Sequence, residues 1–146
     1  MGEFLERLEP FLEKLPKTFR YCVEIRNKAW LVPELADVLR RHAVALVLVD
    51  ISYMPHPSDV AKDLDVVTTD FSYCRLIGDR KGIEKLTKTW DRVVVDQGAR
   101  LDKWAAYLEM LQNRASEVYV YANNHYAGHG PTTAGELMWR VEQRTA

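Results

Sequence analysis

The chain has 146 residues, 47% of them hydrophobic, and its 20 Lys and Arg against 21 Asp and Glu leave a net charge of -1. That length and composition suit one globular domain over residues 1–146 with a core of its own. A balanced charge without long runs of Lys or Arg disfavours bulk nucleic-acid binding. The apolar runs are far shorter than a membrane span. The opening Met1-Gly2-Glu3-Phe4 has neither the basic nor the apolar region of a secretory signal, so a cytoplasmic chain without a membrane partner is expected. Cys22 and Cys74 lie in apolar, strand-like runs, where buried reduced thiols rather than a disulfide are expected.

Phe4, Leu5, Leu8, Phe11, Leu12 and Leu15 recur at helical spacing between charged residues and predict an amphipathic helix stopped by Pro16. Residues 19–25 read as a strand, and Pro33 opens a second helix over residues 33–41. Residues 45–50, Ala-Leu-Val-Leu-Val-Asp, form a continuous apolar run that suits a strand buried on both faces of a parallel sheet. From Ile51 to Asp70 the chain is rich in Pro, Ser and Asp and reads as a long functional or mobile loop. A third strand is expected over residues 71–77, a helix over 98–113, a fourth strand over 117–123 and a closing helix over 131–144; residues 87–96 show no clear period.

Helix and strand alternate four times without a tight hairpin, which predicts an α/β fold of parallel βα units. Four such units are TIM-barrel-like, about half of a (β/α)8 barrel that normally needs roughly 250 residues. Two arrangements follow. Either the chain is a half whose open strand edges pair with another copy or with a missing amino-terminal half, or it is a small open sheet that stands alone.

Five stretches stand in order: VEIRNKAW (23–30), ALVLVD (45–50), TTDFSYCRLIGDRKGIE (68–84), TKTWD (87–91) and YVYANNHYAGHGP (119–131). Together they resemble the carboxyl-terminal half of the YecE-like family, catalogued as domain of unknown function seventy-two. The resemblance implies a TIM-barrel-like fold without an established activity. The family's amino-terminal Gly-Ser-Gly-Trp-type strand and Asn-Ser-Thr-Phe-Tyr segment have no counterpart here, and Ile77-Gly78-Asp79 stands where many relatives carry a His-Gly-Arg-like sequence.

Glu24 and Arg26 are two apart at a strand's carboxyl end and share one side. They form either an acid/base or ligand-binding pair at a barrel mouth, or an ion pair closing it. Asp50 ends its strand as a metal ligand or substrate-orienting carboxylate, or as a turn cap. Arg75 shares a strand face with Phe71, Tyr73 and Ile77, where it clamps an anion or bridges to Glu24 or Asp50. Arg80 and Lys81 read as solvated charges. Asn123, Asn124, His125 and His129 form the densest polar cluster. His125 offers acid/base chemistry near neutral pH, or a hydrogen bond within a turn. Residues 128–133 read as a loop feeding a helix start that attracts an anion or is capped by Thr132 or Thr133. No cofactor motif is recognisable, and the acidic and imidazole groups admit a divalent metal. Two functions remain open: an enzyme acting on a small anionic, phosphorylated or polyhydroxylated molecule, and a noncatalytic module holding a metabolite or a nucleic-acid end.

Overall fold

The structure is a computed structural model, and it describes residues 2–145. Four strands, β1 (Tyr21–Val23), β2 (Val44–Ile51), β3 (Phe71–Gly78) and β4 (Glu117–Ala122), form one sheet in the order β1-β2-β3-β4, and every pair is parallel. Because neighbours in sequence are neighbours in space, each connection must carry the chain back over the sheet. The connections include α2 (Pro33–Arg41), the short α3 (Pro57–Val60), α4 (Arg80–Leu86) and α5 (Gly98–Gln112). Helix α1 (Gly2–Glu13) precedes the sheet, and α6 (Asn124–Ala127) and α7 (Gly130–Thr145) follow it.

The α/β alternation predicted from the sequence is present, with β2 and α2 within a residue of their expected bounds. Strand β1 is shorter than expected, so Glu24 and Arg26 follow it rather than lie on it. The expected long loop after β2 contains α3, capped by His56. Helices α4 and α6 were not anticipated. Helix α4 buries one apolar side chain, Ile83, and α6 has four residues, so neither displays a helical period.

Alternation along the strands separates two faces. Leu46, Leu48, Cys74, Leu76, Val118 and Val120 face the helix layer, where they meet Leu35 and Leu39 of α2, Leu101, Trp104 and Leu108 of α5, and Leu137 of α7 in the main core. Strand β2 is buried at all eight positions, as its unbroken apolar run requires. The opposite, open face carries the rung Val47–Tyr73–Tyr119 and the rung Val49–Arg75–Tyr121. Near the strand ends a small cluster of Val49, Ile51, Met54 and Ile77 covers part of it. Val47 and Phe71 are buried as well, and the accessible part of the face runs from half-buried Tyr73 and Arg75 to Tyr121, which is 52% exposed. Cys22 points this way and is exposed, a correction to the expectation of two buried thiols, because alternation along β1 turns Tyr21 and Val23 to the core instead. Cys74 is buried, and both cysteines are free.

Gly78 ends β3 at φ +77, and a Cβ there would lie 2.5 Å from the Cα of Tyr126. A glycine is needed for α6 to lie against the end of the strand. This close approach brings the carboxyl ends of β3 and β4 and the start of α6 together.

Candidate functional site

The polar residues singled out from the sequence fall into three groups. The first stands on the open face. Glu24 accepts from Arg26 Nε at 2.5 Å through Oε1 and from Arg75 Nη1 at 2.5 Å through Oε2, so one carboxylate is shared by two guanidiniums. The Glu24 hydrogen bond, more than the opposing effect of burial, raises the Arg26 guanidinium further above neutrality. Arg75 is held at the rung position between Val49 and Tyr121 and keeps 37% of its side chain exposed. Tyr73 and Tyr121 stack beside it with ring centroids 4.9 Å apart. Cys22, Glu24, Val47, Tyr73, Arg75 and Tyr121 line a recess of about 360 Å³. The expected bridge between Arg75 and Glu24 is therefore formed, yet the guanidinium retains donors for a ligand.

Asp50 lies elsewhere. Its place in the alternation of β2 turns its side chain to the helix layer, where it is 1% exposed. Oδ2 accepts from Trp104 Nε1 at 2.7 Å, Tyr126 Oη at 2.9 Å and Arg100 Nε at 2.8 Å, and Oδ1 accepts from Arg100 Nη2. Burial pushes its carboxyl up, but the hydrogen bonds from Arg100 and Trp104, with the Arg100 charge and the Tyr126 hydroxyl, outweigh it and leave the group below its usual range. An ionised carboxylate with every lone pair engaged is an anchor between sheet and helices. No hydrogen bond or ion pair joins it to Glu24 or Arg75 among the described residues.

The third group follows β4. Asn123 caps α6 by accepting from His125 N–H at 2.9 Å, and its side-chain oxygen lies 2.7 Å from His125 Nδ1. That contact makes Nδ1 the donor and leaves Nε2 to face Glu84 Oε1 at 3.3 Å, beside Trp90, whose ring centroid is 4.7 Å away. The Arg80 hydrogen bond holds the Glu84 carboxyl below its ordinary value against a smaller effect of burial. Arg80 is thus an ion-pair partner as well as a solvated charge. Asn124 Oδ1 accepts from Gly130 N–H at 2.7 Å, and His129 Nδ1 meets Thr132 Oγ1 at 2.7 Å. The Thr133 hydroxyl donates to the His129 carbonyl at 2.9 Å, so the first N–H of α7, that of Gly130, is capped by Asn124 and not by a threonine.

Sequence reasoning did not single out Arg100, Lys103 or His56, and the family model now gives this arrangement its context. A model described as "Protein of unknown function DUF72" matches residues 1–146. The chain belongs to the DUF72 family. Its fold is similar to the crystal structure of a DUF72 family protein from Thermotoga maritima, with a TM-score of 0.68 at 23% identity over 97% of this chain and 52% of that one. A DUF72 family protein from Enterococcus faecalis is similar with a TM-score of 0.64 at 17% identity, over 96% of this chain and 52% of that one. The chain spans about half the length of these solved relatives. Comparison with curated proteins finds no match. Among the described residues no helix is long and apolar enough to cross a membrane, and no three His, Cys, Asp or Glu side chains stand together as a metal site.

Proposed function

We propose that the four-stranded sheet is half of a closed (β/α)8-type barrel and that its open face is the inner wall of a ligand site. Sequential parallel strands with helices against one face are the sector from which such a barrel is built. Edge strands β1 and β4 have unpaired sides, and the solved relatives of this fold are about twice as long. A second copy or the remaining half of a DUF72 fold closes the barrel, so the isolated chain self-associates. An exposed free thiol, Cys22, suits the reducing cytoplasm.

In this reading the protein is an enzyme acting on a small anionic, phosphorylated or polyhydroxylated substrate. The observation that carries it is Arg75, fixed by Glu24 on an accessible sheet face beside two stacked tyrosines. Arg75 and Arg26 receive the anion, and Tyr73 and Tyr121 offer an aromatic wall to a sugar or base. Glu24 positions both arginines. His125, oriented by Asn123 and backed by Glu84, is the acid/base group at the strand ends. The second reading, a noncatalytic module for a metabolite or nucleic-acid end, draws on the same clamp, because both Glu24 oxygens are occupied by guanidinium donors.

Turnover and affinity measured side by side on a panel of phosphate esters and sugars separate the two. The enzyme reading expects His125→Ala to abolish turnover with affinity within a few-fold, and Arg75→Ala to abolish binding. If no compound is turned over and both changes merely weaken binding, the module reading stands. Binding unaffected by Arg75→Ala would remove the open face from both.

A further inference from the structure

On the helix side of the sheet, the carboxyl ends of β2 and β3 border a cavity of about 400 Å³ whose lining includes Asp50, Ser52, His56, Arg100, Lys103 and Tyr126. It is separate from the open-face recess, with which it shares no lining residue. Its notable group is His56. The imidazole is 4% exposed and stands edge-on to Trp104 at 4.9 Å; its Nδ1 accepts from the Ser58 N–H at 3.2 Å and lies 2.8 Å from Ser58 Oγ, whose hydroxyl can donate to the same nitrogen. The bond from the N–H puts the ring proton on Nε2. Nε2 is buried and has no hydrogen-bond partner, and the nearest carboxylate oxygen, Asp50 Oδ2, is 3.9 Å away and already takes three donors.

An unpaired buried donor is costly, and native proteins rarely keep one without a use. The carboxylates of Asp50 and Asp59 are engaged, while Asp79, exposed at the rim of the cavity, has no side-chain hydrogen bond or ion pair among the described residues. Both Asp50 oxygens are filled, and the Asp59 oxygens receive Lys62 at 2.8 Å and Lys103 at 2.6 Å. Donors are in surplus: Arg100 commits Nε and Nη2 to Asp50 and has a further amino nitrogen, Lys103 has protons beyond the one given to Asp59, and Ser52 adds a hydroxyl. Around His56, Arg100 and Lys103 the donors outnumber the free acceptors, with Asp79 at the rim, and this inner part of the wall is complementary to an acceptor-rich ligand.

We propose that this cavity is a second ligand site of the protein, taking the oxyanion head group of a small molecule, carboxylate or phosphate, with His56 Nε2–H as its buried donor and Arg100 and Lys103 at its mouth. Burial lowers the His56 imidazole to about 4, so at neutral pH it binds as a neutral donor and the charge comes from Arg100 and Lys103.

The test is a titration of the full chain, labelled at its histidine ring nitrogens, with sodium acetate and separately with inorganic phosphate at fixed pH and ionic strength. The expected result is a saturable shift of the His56 Nε2 resonance with at least one of the two, about tenfold weaker in Lys103→Ala and unchanged in Arg75→Ala. Saturation by phosphate alone names a phosphate ester, and by acetate alone a carboxylic acid. His56→Phe, which keeps a ring against Trp104 without the donor, removes binding; if that variant does not fold, the wild-type titration decides alone. A His56 signal unmoved by both anions, or moved without saturation, overturns the proposal. So does a shift that Arg75→Ala abolishes, since that places the anion on the open face.

Discussion

Asp50→Asn isolates the contribution of one buried carboxylate to the fold. The substitution keeps the volume but converts one acceptor oxygen into an NH2 donor. At Oδ2 that donor would face Trp104 Nε1–H and Tyr126 Oη–H, now 2.7 and 2.9 Å away; if the amide flips, it meets Arg100 instead. In either orientation at least one buried donor is left facing another, at about 1–3 kcal/mol each. Arg100 also loses its counter-ion. Breaking a fully buried pair costs about 3–5 kcal/mol, but the Arg100 side chain is 39% exposed and can rehydrate, so only a fraction of that applies. Together these give about 4 kcal/mol, a large share of a typical stability of about 5–15 kcal/mol. For a chain of this size that is a fall in melting temperature on the order of 10 °C. Urea unfolding of wild type and Asp50→Asn at neutral pH measures it, with the slope checked for constancy. A loss below about 1 kcal/mol would refute the assignment of Asp50 as the anchor between sheet and helices.

Acid sensitivity should come partly from His56. Its folded value is lowered from 6.5 to about 4, so the unfolded chain binds a proton that the folded one refuses, and stability falls as the pH drops from 6.5 to about 4. The loss is about 3 kcal/mol, and His56→Phe should flatten the profile in that window while Asp50 contributes only at lower pH. A parallel slope in both proteins would exclude His56 as the cause. Gly78→Ala should cost about 2 kcal/mol or more, because its Cβ would strike the backbone of Tyr126 at φ +77; an unchanged melting temperature would show that α6 does not lie against β3 as described. Sedimentation should find a dimer or larger species whose fraction rises with concentration, and Val118→Lys, a charge added on the helix-facing side of edge strand β4, should shift it toward monomer. A strictly monomeric wild-type chain at all concentrations would contradict barrel closure between copies.

Long, strongly patterned elements were legible in the sequence. The apolar run of β2 announces a strand buried on both faces, and Pro33 marks the start of α2 because a missing N–H is harmless there. The ion pair of Glu24 with Arg26 was legible too, since spacing of two on an extended chain puts side chains on one side. What escaped was set by tertiary context. Period-two alternation predicts that Asp50 and Val49 face opposite ways, but not which face the helices cover, so the sequence leaves Asp50 open as a metal ligand, a substrate-orienting carboxylate or a cap, and does not show that it points to α5. Arg100 and Trp104 sit 50 and 54 residues away from it, and no local pattern ties them to a strand end. His56 stands in a segment that reads as a functional or mobile loop, yet its setting comes from burial against Trp104, which a sequence does not display. Asn123 looked like a site amide and is also the cap that turns Asn124–Ala127 into a helix.

The claim that the open face is the ligand face meets its most direct test in a thermal-shift screen of the chain against phosphate, sugar phosphates, nucleotides and divalent metals, run in parallel on Arg75→Ala. Ligands that bind only the folded state raise its melting temperature. The expected result is a rise of several degrees with an anionic compound that Arg75→Ala removes and Lys103→Ala leaves in place. No rise with any compound, or only rises that survive Arg75→Ala, would contradict it.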